Sequence, residues 1–402
     1  MPDVPNLRHL SAVAEVAQLG TLSRAAAAVH MSQSALTQAL RKVEGLTEQA
    51  LFQRTTAGMD PTSAGRLFVA RLERAFRWLK SYERDMSPRH PRGSGSLFRV
   101  MTATQLKSLV AVTESGGFTL AARHLGISQP SVYRAAKELE KLCGESFFIR
   151  SHQGIEPTPA AHRLARCASL AFAEIRQAFE ELNELRGKLE TSVVVGCLPL
   201  ARVHVLPASV NRLLQIYPAA RIRIVDGPYD ELLNALRHGH LDLIIGALRI
   251  PPPAEDICQE VLFEDPLSIV VRVGHPVLSH PGLNPRRLAK LDWIVPREGT
   301  PAREQFTHFF TSRGVAAPRQ VIECSSLVAT RGLLLGSNRA ALLSAHQVKI
   351  EVASRQLAVL PKPLPGTSRP IGMTFRSEWR PTRIQDRLLA IVRDVAHEIV
   401  AS

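Results

Sequence analysis

Cysteine is scarce and scattered in this sequence. Five cysteines are spread over 402 residues, at Cys143, Cys167, Cys197, Cys258 and Cys324. None forms a C-x-x-C pair, and no histidine cluster stands at metal-ligand spacing, so neither a redox dithiol nor a zinc site is indicated. Isolated cysteines in a chain this size read as reduced and mostly buried. No apolar run is long enough to span a bilayer. The start, MPDVPNLRHLSAVAEV, lacks the layout of a secretory signal because an acid interrupts its apolar stretch. These absences predict a cytoplasmic protein with no metal, no cofactor and no membrane partner. Catalytic signatures are missing too: there is no G-x-S-x-G, no H-E-x-x-H, no Walker glycine loop and no G-x-G-x-x-G opening a helix. His204, His238, His240 and His275 stand apart from acids in any catalytic motif. The sequence therefore predicts no enzyme, although an α/β domain can hide a catalytic site.

What is present is ordinary in composition and unusual in arrangement. The chain is 45% apolar and 21% charged, normal for a soluble globular protein, and long enough for two or three domains. Its formal charge is 50 − 36 = +14, which favours polyanions such as nucleic acid or an anionic membrane surface without choosing between them. Basic residues are densest at Arg66, Arg71, Arg74, Arg77, Lys80, Arg84, Arg89, Arg92 and Arg99.

Two stretches on either side of that patch are near-copies. MSQSALTQALRKVE, from Met31, and ISQPSVYRAAKELE, from Ile127, align at a shift of 96, and the match continues without a gap from Leu10/Leu106 through Gly20/Gly116, Glu44/Glu140 and Arg54/Arg150 to Thr62/Thr158. This is an internal duplication with too few copies for a solenoid. Each copy reads as short helices and a hairpin. Leu10, Val13, Ala14 and Ala17 make an apolar helical stripe, Gly20 ends that helix, and an Ala-rich helix follows. Ser32 then caps a third helix.

The third helix is expected to bury Ala35, Leu36, Ala39, Leu40 and Val43 and to show Gln33, Ser34, Thr37, Gln38, Arg41 and Lys42 outward. The second copy, starting at Ser128, shows Gln129, Pro130, Ser131, Tyr133, Arg134 and Lys137. Gln and Arg make paired hydrogen bonds to base edges, while Ser, Thr and Lys reach phosphates. A plain solvated helix face also looks polar. The short helix and tight turn before it, twice over, favour helix-turn-helix geometry. Gly58 and Gly154 suit hairpin tips, with Arg54 and Arg150 at the base as phosphate clamps or as simple surface arginines.

The order F-x-x-AA-x-x-L-x-x-SQP-S, an L-E pair, F-F-x-R and G-x-x-P-T between Phe118 and Thr158 resembles the N-terminal winged helix of LysR-type transcriptional regulators. The first copy resembles it with departures: Ser34 stands in the usual proline position, and EGLTEQALF replaces a short glycine turn. Tyr133 stands where a small hydroxyl residue is common. The duplication itself also departs from the family.

A long helix follows each hairpin. Leu164, Ala168, Ala171, Ile175, Ala178, Leu182 and Leu185 alternate by four and three, as do Phe68, Leu72, Ala75, Leu79, Tyr82 and Met86. Such a seam favours pairing with another helix. The resemblance implies antiparallel pairing with a second subunit's helix. The duplication permits pairing inside one chain, across a Pro/Gly/Ser-rich connector at 87–100.

From Thr191 the pattern becomes alternating strands and helices, which predicts largely parallel sheets. Strands are expected at SVVVGCL, RIRIVDG, LDLIIGAL, LSIVVRV, DWIVP, RQVIEC, AALLSA and LAVLP. This part resembles the two-lobed, periplasmic-binding-protein-like effector domain of the same family, in the branch of the galactose-binding-protein regulator. Ligands in such sheets sit beyond strand C-termini, at helix N-termini. That places Cys197, Leu198, Pro199, Leu200, Gly246, Thr300, Ser325 and Ser326 at the effector site. Helix capping explains Thr300 and the serines equally well, and tight packing explains Gly246.

The expected fold is thus a multidomain α+β chain. A winged helix-turn-helix (1–65) and linker helix (66–86) lead through the connector (87–100) to a second winged helix (101–160) and linker helix (161–188). The effector domain follows (189–402), with one lobe at about 189–264 and 365–402 and the other at about 265–364. The expected function is a DNA-binding transcriptional regulator with double-stranded DNA, a small and anionic or sugar-derived effector, RNA polymerase and further copies of itself as partners. A DNA-tethered enzyme and a low-specificity architectural DNA binder are the alternatives.

Overall fold

The computed structural model describes all residues except 1–3, 57, 86–96, 153, 189–190, 280–283, 361–363 and 402. It divides into two compact units, Met1–Ser192 with Ala219–Arg221 and Arg237–His240, and Val193–Pro218 with Ile222–Leu236 and Leu241–Ser402.

The first unit runs α1 (Leu7–Leu19), α2 (Leu22–Ala28), α3 (Gln33–Thr47), β1 (Phe52–Thr55), β2 (Gly58–Pro61) and α4 (Ser63–Asp85). The same series then recurs as α5 (Ala103–Ser115), α6 (Phe118–Leu125), α7 (Gln129–Cys143), β3 (Phe148–Ser151), β4 (Gly154–Pro157) and α8 (Pro159–Leu185). Both strand pairs are antiparallel, with Thr55 opposite Gly58 and Ser151 opposite Gly154.

One carboxylate in each series ties the hairpin to the helix before it. Glu44 Oε1 accepts from the Leu51 and Phe52 amides (2.8 and 3.4 Å), and Glu140 Oε1 accepts from those of Phe147 and Phe148 (2.8 and 3.1 Å). Thr62 and Thr158 close the other end, donating to the Ala50 and Ser146 carbonyls at 2.8 and 2.9 Å. The recurring Glu and Pro-Thr thus orient the hairpin on α3 and α7.

Two turns differ between the series. Gly126 and Gly144 take left-handed conformations (φ 67° and 66°), and their counterparts His30 and Glu48 are forced into the same region (φ 52° and 50°). A side chain there costs about 1 kcal/mol. His30→Gly is therefore expected to stabilise the first unit by about 1 kcal/mol, less the extra entropy glycine brings to the unfolded chain. Urea titration checks this, and a lower midpoint would contradict it.

The long helices α4 and α8 pair with each other, antiparallel. Phe68 meets Phe179 edge-on at 5.2 Å, and Ser81 meets Cys167 at 3.6 Å. The seam positions expected on both helices are buried, except Leu185, which is exposed at the end of α8. Met86 and residues 87–96 of the expected connector lie outside the described residues. At the connector's end, Phe98 is buried against Phe76 (5.2 Å), and its amide donates to Glu83 Oε1 at 2.7 Å.

The basic run is only partly a surface feature: Arg66, Arg77, Lys80 and Arg84 are exposed, whereas Arg71, Arg74 and Arg99 are drawn into contacts. Arg71 is fully buried in the seam, where it donates to Glu174 (2.9 Å), Gln177 (2.9 Å) and Glu181 (2.6 Å). Arg74 pairs with Glu174 at 2.9 Å, and Arg99 pairs with Glu15. Burial opposes the Arg71 charge, and the hydrogen bonds and attraction of Glu181 and Glu174 outweigh it, so its pKa is raised.

The second unit holds β5 (Ser192–Cys197), α9 (Val205–Ile216), β6 (Arg221–Asp226), α10 (Tyr229–Arg237), β7 (Leu243–Ala247), β8 (Ile257–Asp265), β9 (Leu267–Arg272), α11 (Pro285–Leu288), β10 (Asp292–Val295), α12 (Pro301–Thr311), β11 (Val321–Glu323), α13 (Leu327–Leu335), β12 (Arg339–Ser344), α14 (Lys349–Ala353), β13 (Leu357–Val359), β14 (Arg369–Arg376) and α15 (Arg383–Ala401). The strands form two five-stranded sheets, ordered β6-β5-β7-β14-β8 and β11-β10-β12-β9-β13. The expected strands are all present. The sheets are mixed rather than largely parallel, because β14 runs antiparallel to both β7 and β8, and β9 to both β12 and β13. Strands β8 and β14 were not expected from the pattern.

Candidate nucleic-acid interface and ligand cavity

The expected reading residues gather on the outer faces of α3 and α7. Ser32 Oγ accepts from the Ala35 amide (3.2 Å) and Ser128 Oγ from the Ser131 amide (3.3 Å), so each serine caps its helix. Ser32, Gln33, Ser34, Gln38 and Arg41 are exposed, as are Ser128, Gln129, Pro130, Ser131, Tyr133, Arg134 and Lys137. Thr37 is half-buried and spends its hydroxyl on the Gln33 carbonyl at 2.9 Å. The apolar positions behind them, Leu36, Ala39, Leu40 and Val43, and Val132, Ala135, Ala136 and Leu139, are buried. The helices are therefore fixed in rotation, and the polar faces cannot turn inward.

The two faces are chemically unlike. Arg41 has no hydrogen-bond or ion-pair partner among the described residues, whereas its counterpart Lys137 is held by Glu140 at 2.6 Å and lies 5.9 Å from the Tyr133 ring. Tyr133 rests edge-on against Phe118 at 5.3 Å and remains exposed. Arg54 and Arg150 are exposed on β1 and β3 and lack partners among the described residues. The hairpins also differ. The Met59 amide donates to the Gly20 carbonyl at 2.8 Å, so β2 sits against the turn after α1, while a methyl group built on Gly154 would meet nothing within 4 Å.

In the second unit a cavity of about 930 Å³ opens between residues of the two sheets. The loop after β5 supplies Leu198, Pro199, Leu200 and Arg202, the end of β6 supplies Asp226, and the start of α10 supplies Tyr229. Arg249 follows β7, Thr300 begins α12, Ser325 and Ser326 precede α13, and Arg369 starts β14. Thr300 Oγ1 accepts from the Arg303 amide and Ser326 Oγ from the Ala329 amide, both at 3.3 Å, so these hydroxyls cap helices as well as lining the cavity.

Two of the expected residues are not in it. Cys197 is fully buried, its thiol donates to the Leu198 carbonyl at 3.6 Å, and burial pushes its pKa up to about 12. Gly246 has φ 153°, and a Cβ there would lie 2.4 Å from Leu198 Cβ. It is needed for packing of the β5 loop, not for approach of a ligand.

Sequence reasoning missed Arg249. Its guanidinium lies over the Tyr229 ring, 4.4 Å from the centroid, and has no carboxylate partner among the described residues. Desolvation lowers its pKa. The Tyr229 hydroxyl is buried with no hydrogen-bond partner there, and burial raises its pKa. Arg369, by contrast, is bound to the fully buried Asp265 at 3.1 Å. The signal for Arg249 was its place two residues beyond a strand's C-terminal end, where ligands of such sheets bind.

Comparison with known proteins agrees with both parts. The profile described as LysR substrate binding domain matches residues 186–397. The one described as bacterial regulatory helix-turn-helix protein, lysR family, matches residues 7–66 and again 103–162. The chain is 34% identical to the HTH-type transcriptional regulator GalR of Pseudomonas putida over 396 residues, covering 98% of each. It is 30% identical to the HTH-type transcriptional regulator PcaQ of Agrobacterium fabrum over 295 residues, 73% of this chain and 94% of that one. In fold it is similar to a full-length OxyR variant from Pseudomonas aeruginosa, with a TM-score of 0.54 and 23% identity over 74% of this chain and 95% of that one. It is also similar to CbnR solved with its target DNA, with a TM-score of 0.51 and 21% identity over 73% and 99%. No helix among the described residues is long and apolar enough to cross a membrane. The chain belongs to the LysR family and is a DNA-binding transcriptional regulator of that type.

Proposed function

We propose that one chain carries two winged helix-turn-helix heads, at 1–65 and 101–160, held by linker helices at 66–86 and 161–188, and a two-lobed effector domain at 189–402. The observation behind this reading is the antiparallel seam of α4 and α8, which joins two series of identical element order within one polypeptide. Bases are read by Gln33, Ser34, Gln38 and Arg41 in the first head and by Gln129, Tyr133 and Arg134 in the second. Pro130 shapes the start of α7. Ser32, Thr37, Ser128, Ser131 and Lys137 contact or frame the phosphates, and Arg54 and Arg150 clamp the backbone from the hairpins.

A small anionic metabolite binds between the lobes without being turned over. Leu198, Pro199, Leu200, Thr300, Ser325 and Ser326 shape its pocket, and Arg249 meets its charge. Binding shifts the lobes, and contacts between copies of the chain carry that shift to the heads. RNA polymerase is the partner through which spacing becomes regulation, in the cytoplasm.

Arg134→Ala is expected to weaken binding to the selected operator by about 1–3 kcal/mol, the worth of a paired base contact, with little change on random DNA. Gln38→Ala should do the same for the first head. Titration of labelled duplexes at fixed salt measures both. Equal losses on operator and random DNA would mean that these residues touch phosphate only.

A further inference from the structure

The two linker helices are not interchangeable. A shift of 96 carries Arg71 to Cys167, and Glu174, Gln177 and Glu181 back to Trp78, Ser81 and Asp85. The full network of one arginine with two glutamates and a glutamine therefore forms only when α4 lies against α8. Two α4 helices would set each Arg71 against Trp78, Ser81 and the shorter Asp85, so the counterparts of Glu174 and Gln177 would be missing. Two α8 helices would bury four glutamates with no arginine. An unpaired charge in a dry seam is far more costly than a matched one, so the network selects unlike helices as partners.

Contacts at the seam ends are equally one-sided. At one end Glu48 pairs with Arg186 and, at 3.2 Å, with Lys188, and Gln49 Nε2 donates to the Leu182 carbonyl at 2.9 Å. At the other, Tyr82 donates to Glu145 at 2.9 Å. EGLTEQALF, the segment by which the first series departs from the second, holds the first of these contacts. Each head is thereby placed on a particular end of the unlike pair.

The reading faces carried by this frame also differ. Position for position, Gln38 stands against Arg134, Thr37 against Tyr133 and Ser34 against Pro130. Glutamine suits the paired donor and acceptor of adenine, and arginine the two acceptors of guanine. From the unlike seam and the unlike faces we infer that a single chain reads two dissimilar half-sites in one fixed order, so that its basic DNA unit is directional rather than palindromic. This rests on the two-headed reading above. Association of two chains would place two such units in tandem or inverted, without making either unit symmetric.

The test uses the full chain. Binding sites are selected from random duplex DNA and the shortest enriched unit is defined. A DNA-cleaving iron chelate is then attached at Gln53→Cys or at Ile149→Cys, equivalent exposed positions on the two hairpins, in a Cys258→Ser background because Cys258 is exposed. The parent without an added cysteine controls for Cys167 and Cys324. The expected result is two unlike half-sites, with cleavage from Gln53→Cys confined to one and from Ile149→Cys to the other. Selection with Arg134→Ala should relax only the half cut from Ile149→Cys. An inverted repeat of identical half-sites within the shortest unit, or both chelates cutting both halves equally, overturns the inference while leaving DNA reading intact. No enriched sequence at all overturns the reading face itself, and the inference with it.

Discussion

Replacing Arg71 by methionine is expected to destabilise the first unit by about 3–5 kcal/mol, the range for breaking a buried charge network by removing one member. For a unit of this size that is roughly 10 °C in thermal midpoint. Methionine fills much of the space, so the loss is electrostatic. Glu181 keeps its burial and loses both Arg71 hydrogen bonds, at 3.1 and 2.6 Å. Glu174 retains Arg74 and suffers less. Arg77→Ala, on the exposed side of the same helix, should stay within about 0.5 kcal/mol. Calorimetry of the full chain separates the two, and similar midpoints for both variants would show that the network contributes nothing.

Adding Glu181→Leu to Arg71→Met should recover part of the stability, since an apolar pair can replace a buried ion pair at little cost. It should not recover the preference for unlike helices. The Gln177 amide nitrogen and Glu181 Oε2 are buried without partners among the described residues. The wild-type seam thus gives up stability, and what it gains is a defined partner.

The sequence made the local scaffold readable where one residue type has one physical job. Ser32 and Ser128 cap, the four-three spacing from Phe68 to Tyr82 and from Leu164 to Leu182 marks a buried seam, and the alternating runs after Thr191 mark strands. It was silent where a role depends on what folds opposite. Arg71 looked like one more basic residue because its acids lie more than a hundred positions away. Glu44 and Glu140 showed as an identity, but their amide partners follow only from the hairpin's return. Strand β8 lies at a sheet edge with Gln259, Glu260 and Glu264 along it, so its apolar alternation is diluted. Strand β14 starts with Arg369-Pro370 and carries Gly372 at the point where its register with β8 shifts, both of which read as loop. Proximity to a strand end pointed to Leu198 and Pro199, which line the cavity, and equally to Cys197, which is buried, and to Gly246, which Leu198 covers.

The largest functional effect is expected at Arg249, which that same proximity rule should have found. A half-buried guanidinium over Tyr229, with no carboxylate at ion-pair distance among the described residues, has lost water, and Glu304 and Asp230 offset this only through longer-range attraction. The ligand's carboxylate would then replace lost water with two charge-assisted hydrogen bonds, and the unpartnered Tyr229 hydroxyl would gain an acceptor. Removing one partner of such a pair costs about 2–5 kcal/mol, so Arg249→Met should weaken binding roughly 100-fold. The readout is thermal stabilisation by a panel of small carboxylic acids. At 100 times its dissociation constant an acid stabilises the wild-type protein by about 2.7 kcal/mol, and a 100-fold weaker variant by only about 0.4 kcal/mol. Thr300→Val should remove less from binding, because the Thr300 hydroxyl is already engaged with the Arg303 amide and the Arg297 carbonyl, and should lower basal stability by about 1 kcal/mol through the lost cap. An acid that stabilises Arg249→Met as strongly as wild type would place its carboxylate elsewhere, at the N-termini of α12 and α13. A neutral ligand that stabilises both proteins equally would remove the anion from the account while keeping the cavity as the site.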